Sequence, residues 1–270
     1  MKQPKLVVAN WKMYLNVHEA SLLANRLGKN IQLYRDVDVV LAPNYLCLQP
    51  LSREIDRHKF KLAAQDGYFI DEGAYTGAVS FNQLRELVDY VIIGHSERRR
   101  YFNESLDEVR DKVAAAVRNG ITPILCVGET KEERTQKETK QVLHDQVVTA
   151  LSNLTSEDVE NLVLAYEPVW AIGANEPAKP DTIAAAVDWI RFQVRELYGK
   201  TTESLIRVLY GGSDEPEYVS GIMAITGVDG LLVGRASLNY ERFHDIITGV
   251  HLAALSADKI IKAPKASGKV

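Results

Sequence analysis

A closed (β/α)8 barrel is the fold this sequence predicts, and three observations predict it. Short runs rich in Val, Ile and Leu recur eight times, helical patterns separate them, and the unusual polar residues gather just after the runs. With 270 residues, 46% of them hydrophobic, the chain has the length and core of one such barrel, or of two medium domains. No Pro/Gly/Ser-rich linker divides it and no fixed-period repeat is visible, which favours the barrel.

The predicted strands are Lys5–Ala9, Val37–Ala42, Lys61–Gln65, Tyr90–Gly94, Thr122–Val127, Leu162–Tyr166, Ile206–Tyr210 and Gly230–Val233. A run such as Leu162-Val163-Leu164-Ala165 does not alternate with polar residues, so both of its faces must be covered, as in a parallel sheet. Right-handed crossovers then make every strand parallel. Among the helices, Ser80 with Gln83, Ser105 with Glu108 and Thr130 with Glu133 can form capping boxes at three starts. Leu106, Val109, Val113 and Val117 make one apolar stripe, and Gly120 can end that helix. The run Glu129–Lys140, with its Glu133-to-Lys137 pair, reads as a solvated helix face. Thr182–Leu197 is a further helix, with Pro180 and Asp181 before it and Gly199 after it. The catalytic barrel is expected to occupy residues 1–250. Residues 251–270 form a lysine-rich C-terminal extension, read as a frayed or packed tail.

Composition narrows the function classes. Thirty-six acidic against 32 basic residues leave a formal charge of −4, which gives no electrostatic case for nucleic acid or an anionic membrane as partner. No stretch nears the roughly 20 apolar residues that span a bilayer, and no secretory signal is evident. Cys47 and Cys126 form no CxxC, so a reducing cytoplasm is the default. Cys126 reads as a small core residue. The six histidines make no HxH or HExxH pattern and no GxGxxG follows a strand, so neither a metal nor a dinucleotide is expected.

A barrel places its chemistry at the C-terminal ends of its strands. Asn10 and Lys12 follow the first strand, Gln65 ends the third, His95 the fourth and Glu167 the sixth. Gly211-Gly212-Ser213 follows the seventh and Gly234-Arg235 the eighth. Singly, each has a bland reading: a solvated lysine, a satisfied core imidazole, a carboxylate opening a turn before Pro168. Together they converge on one rim.

Four segments carry a resemblance. Asn10-Trp11-Lys12, Gly94-His95-Ser96-Glu97-Arg98, the run Ala165 to Gly173 (AYEPVWAIG) and Tyr210-Gly211-Gly212-Ser213 resemble the triosephosphate isomerase family, in its order and on its strands. The similarity covers about Leu6 to Ile247, and the glutamate segment is the most specific part. It implies the TIM barrel fold and an isomerase of dihydroxyacetone phosphate and D-glyceraldehyde 3-phosphate, in glycolysis and gluconeogenesis. No cofactor is implied. By the same resemblance Glu167 is the base, His95 a neutral electrophile, Lys12 the fixed cation and Asn10 a further hydrogen-bond donor. Gly173, Ser213, Gly234 and Arg235 would contact the phosphate through backbone N–H groups. Glu97 would hold Lys12, against the alternative of an ion pair within Arg98–Arg100. Pro168–Lys179 would form a lid, latched by Tyr210 and Ser213. Asp71–Ser80 would insert into a second subunit of a homodimer, with Thr76 reaching the partner's site.

The sequence departs from the family at several points. The lid tip reads Ala174-Asn175-Glu176-Pro177, Arg235 stands where a second glycine is common, Asp214 replaces an apolar residue, and Tyr14 replaces a frequent asparagine. Asp214 is expected to point outward or cap the next helix. Two rival readings stand beside the isomerase of triose phosphates. One is an isomerase of a phosphorylated tetrulose on the same scaffold; the other is a non-catalytic phosphate-binding protein.

Overall fold

The computed structural model describes residues 3–32, 34–174, 176–213 and 215–262, the last six by backbone alone. Asn175, Asp214 and the tail beyond Lys262 lie outside the described residues, and so do the expectations placed on them.

Eight strands form the barrel: β1 (Lys5–Asn10), β2 (Val37–Ala42), β3 (Lys61–Ala64), β4 (Tyr90–Ile93), β5 (Thr122–Val127), β6 (Val163–Tyr166), β7 (Arg207–Tyr210) and β8 (Gly230–Val233). All pair in parallel in chain order, and β8 closes the ring on β1, with Leu6 opposite Gly230 and Ala9 opposite Val233. Each agrees with the sequence-predicted run to within a residue. The burial pattern explains why the runs lack polar alternation. Leu6, Val8, Ile92, Ile124, Ala165 and Leu209 fill the barrel interior, while their neighbours Val7, Ala9, Val91, Leu125, Leu164 and Val208 pack under the helices. Both faces are dry, so both must be apolar.

The helical layer contains α1 (Val17–Asn30), α2 (Tyr45–Glu54), α3 (Phe81–Leu84), α4 (Ser96–Tyr101), α5 (Leu106–Arg118), α6 (Lys131–Thr135), α7 (Thr139–Leu151), α8 (Ser156–Glu160), α9 (Pro180–Leu205), α10 (Val219–Met223) and α11 (Tyr240–Lys262). The expected capping boxes at Ser80, Ser105 and Thr130 are all present. Two more occur, at Asn16 with Glu19 and at Thr155 with Asp158. Three helices differ from expectation. α9 does not stop before Gly199; the chain turns there at φ 85° and resumes helix to Leu205. The Glu129–Lys140 stretch is not one solvated helix: α6 ends at Thr135, Lys137 adopts φ 65°, and Glu129 is wholly buried. α11 runs through position 250 to Lys262. Past that position His251 Nδ1 lies 2.7 Å from Asp36 and its ring stacks on Tyr34, which fastens the helix to the approach to β2.

Cys47 and Cys126 are free and buried, and burial pushes the Cys126 thiol well above its ordinary pKa. Among the described residues, no helix is long and apolar enough to cross a membrane.

Candidate active site

The C-terminal ends of the strands open into a cavity of about 420 Å³. Asn10, Lys12, His95 and Glu167 line it from β1, β4 and β6, although they are up to 157 positions apart in the chain (167 − 10). Gly211, Gly212, Ser213, Gly234 and Arg235 line it from the loops after β7 and β8, and Gly173 from the loop after β6. All but Gly173 belong to the set that the sequence placed on one rim; Gln65, the other member of that set, does not line the cavity.

His95 is the N-cap of α4, and its Nδ1 accepts the backbone N–H of Glu97 at 3.3 Å. An imidazolium would set N–H against N–H there. The geometry therefore puts the ring proton on Nε2, which stands 3.0 Å from Glu167 Oε1. Glu167 is held by both oxygens, since Oε2 accepts the Ser96 N–H at 3.2 Å. Burial pushes the Glu167 carboxyl up, but the His95 ring, the Arg99 charge and the Ser96 N–H outweigh it and hold the group below the ordinary glutamate pKa.

Lys12 sits in the left-handed region at φ 50°, unusual for a residue with a Cβ. Two contacts hold it there. Its N–H donates to Asn10 Oδ1 at 3.1 Å, and its carbonyl accepts from Gln65 Nε2 at 2.8 Å, an amide that also donates to Ala42 O. Its ammonium lies 2.6 Å from Glu97 Oε1. Glu97 thus pairs with Lys12, while Arg98 pairs with Asp66 and Glu104.

The two glycines after β7 are there for close approach. A Cβ on Gly211 would come within 3.0 Å of Glu167 Cγ, and one on Gly212 within 2.1 Å of Tyr210 Oη. Only a bare backbone leaves room for the carboxylate and the tyrosine. Tyr210 Oη accepts the Ala178 N–H at 3.0 Å, joining the C-terminal arm of the expected lid to β7.

The N-terminal arm of the expected lid is anchored by a residue that sequence reading had assigned to a surface. Glu129 accepts Trp170 Nε1–H at 2.8 Å and the Tyr166 hydroxyl at 3.2 Å, with Arg134 Nη1 3.6 Å away and its guanidinium stacked 4.3 Å from the Trp170 ring centroid. Burial and this carboxylate push the Tyr166 hydroxyl pKa up. The signal was present: Glu129 lies two residues past a strand buried in all but its first residue, at the rim where polar residues carry function. Thr76 does not line the cavity; it stands on the exposed stretch Glu72–Ala78. Among the described residues no cluster of three His, Cys, Asp or Glu could hold a metal ion.

An eight-stranded parallel barrel with an imidazole facing a carboxylate, a fixed lysine beside them and two glycine loops across the mouth defines a class. It is the class of barrel isomerases that move a proton on a small anionic substrate. Comparison with known proteins narrows this. A family profile described as triosephosphate isomerase matches residues 5–250. The triosephosphate isomerase of Carboxydothermus hydrogenoformans is 41% identical over 250 residues, 92% of this chain and 99% of that protein. Those of Clostridium botulinum strain Langeland and Geotalea uraniireducens are 42% and 40% identical, over 90% and 92% of this chain and 98% of each relative. The chain belongs to the triosephosphate isomerase family.

Proposed function

We propose that this isomerase interconverts dihydroxyacetone phosphate and D-glyceraldehyde 3-phosphate through an enediolate, with Glu167 as base and His95 as neutral electrophile. The observation that carries the mechanism is the 3.0 Å approach of His95 Nε2 to Glu167 Oε1 inside a cavity open to small anions. Substrate carbons entering between these two groups break that contact. Glu167 also leaves the Ser96 N–H, and losing both partners in a buried site raises its basicity. The carboxylate takes a proton from the carbon beside the carbonyl. Nε2–H of His95 and the Lys12 ammonium stabilise the oxygen that gains charge. The ring passes a proton between the two oxygens, and Glu167 returns its proton to the neighbouring carbon. Hydrogen leaves and returns as a proton, so the reaction calls on no redox cofactor.

Asn10 accepts the Lys12 N–H through Oδ1, which leaves its amide nitrogen for the substrate. The phosphate is held by backbone N–H groups of Gly173, Ser213, Gly234 and Arg235, with Gly211 and Gly212 giving it room. Glu97 positions Lys12. The loop after β6 closes over the enediolate to exclude water, since an exposed enediolate beside a phosphate ester loses phosphate. Residues 1–250 are the catalytic unit, and residues 251–262 continue its last helix.

The working form is a homodimer. Met13, Leu46, Tyr101 and Phe102 are 92%, 78%, 64% and 66% exposed, and all lie after β1, β2 and β4 at the catalytic end of the barrel. Apolar side chains clustered there support a covered face. The exposed Glu72–Ala78 stretch, carrying Thr76, would reach the partner's Asn10 and Lys12. The buried free thiols suit the cytoplasm.

A coupled assay of glyceraldehyde 3-phosphate isomerisation tests the activity, with phosphorylated tetruloses as competitors. Higher kcat/KM for the triose phosphate is expected. Solvent deuterium failing to enter dihydroxyacetone phosphate would leave only a phosphate binder. Sedimentation tests the dimer; a monomer at micromolar concentration overturns it.

A further inference from the structure

Three cations line the active-site cavity: Lys12, Arg235 and Arg242. Two are matched. The Lys12 ammonium is 2.6 Å from Glu97, and Arg242 Nη1 is 3.1 Å from Glu215. Arg235 is exposed, and among the described residues its guanidinium has neither a carboxylate partner nor a hydrogen bond. Its backbone is nonetheless fixed. The Ser237 N–H and hydroxyl both donate to the Gly234 carbonyl, at 3.0 and 2.6 Å, which locks the turn on which Arg235 stands. A Cβ on Gly234 would lie 3.9 Å from Lys12 Cε, so this turn runs alongside the lysine side chain. The lining of the cavity also carries Glu217, an exposed carboxylate that repels a dianion. An unmatched guanidinium offsets that repulsion.

We propose that the Arg235 side chain is a specificity determinant for the dianionic phosphoryl group, acting by charge in addition to whatever its backbone N–H contributes. The proposal rests on the phosphate-loop reading above. Its chemistry sets its kinetic signature. A flexible, exposed charge attracts ground state and transition state alike, so it acts on KM and leaves kcat nearly unchanged. Its effect is screened by salt, because no carboxylate and no buried surface shield it from ions.

The test compares the full-length enzyme with R235Q and R235K on glyceraldehyde 3-phosphate, from about 0.02 M to about 0.5 M ionic strength. Inorganic phosphate serves as competitive inhibitor and unphosphorylated glyceraldehyde, followed by solvent deuterium exchange, as the neutral substrate. R235Q is expected to raise KM and the phosphate inhibition constant about three- to tenfold at low salt, with kcat within about twofold and the difference fading at high salt. R235K is expected to restore most of the loss, and glyceraldehyde to exchange equally in all three. Unchanged KM and inhibition constant in R235Q at low salt overturn the proposal. So does R235K as impaired as R235Q, or an equal loss on glyceraldehyde. Failure of phosphate to compete in the unsubstituted enzyme overturns the phosphate-loop reading itself, and is thereby told apart from failure of the Arg235 proposal.

Discussion

Glu167 reaches His95 and Ser96 with a single carboxylate, and the proposed mechanism trades those bonds for contact with substrate carbons. The length of its side chain is therefore a kinetic quantity. Glu167→Asp withdraws the carboxylate by one methylene, and kcat is expected to fall by about 10²-fold or more with KM changed only a few-fold. Steady-state kinetics check this, and near-normal turnover would remove Glu167 from the role of base. Lys12→Met removes the charge proposed to serve binding and turnover together, so KM is expected to rise while kcat falls; a change confined to one of them would contradict that dual role. Much of this site was legible in residue types at strand ends. Support for Lys12 was not. Its left-handed backbone depends on Asn10, two residues back, and on Gln65, whose hydrogen bond crosses from the end of β3 over 53 positions and leaves no mark on local spacing. Lys112 was hidden in the same way: it adjoins the apolar stripe of α5 and is buried against Asp66 and Glu104, which come from other loops.

Helix starts are the best-defined feature at the scale of elements, because a capping box is a local pattern. Ser105 accepts the Glu108 N–H at 3.2 Å while Glu108 accepts the Ser105 N–H at 2.8 Å. Ser105→Ala is expected to cost about 1 kcal/mol in urea unfolding, and an unchanged midpoint would contradict it. The same boxes give the fold an acid dependence. The Ser105 and Thr155 N–H groups hold the Glu108 and Asp158 carboxyls below their ordinary pKa values. With folded values depressed, the stabilisation is present above the unfolded pKa and is lost as pH falls through the folded one. Unfolding free energy is expected to drop below about pH 4.5 by less in Glu108→Gln than in the parent, and equal slopes would contradict it. Helix ends were less legible than starts. Gly199 looked like a stop for α9, but a glycine at φ 85° can bend the chain into further helix when the next residues still find packing, as the buried Thr202 does. Glu129 escaped because a charged run resembles a solvated face whatever lies above it; Trp170 in the loop after β6 and Tyr166 at the end of β6 show it to be interior.

For the whole molecule, closure of the sheet rests on one narrow place. At the β8–β1 seam a Cβ on Gly230 would stand 1.8 Å from the Leu6 carbonyl oxygen, a backbone atom with nowhere to go. Gly230→Ala is expected to destabilise the fold by about 3 kcal/mol or more, seen as a lowered urea midpoint, with parental stability as the contrary result. The strand order itself was predictable, since eight unalternating runs with crossovers between them admit few arrangements. The seam carries a further consequence for how the chain is made. β1 leaves the ribosome first, but its second neighbour begins at Gly230, some 220 residues after Asn10 (230 − 10), so at about 5–20 residues per second it waits roughly ten to forty seconds. Throughout that interval the nascent sheet has a bare edge, and whatever shelters Lys5–Asn10 during translation decides how much of this enzyme a cell obtains.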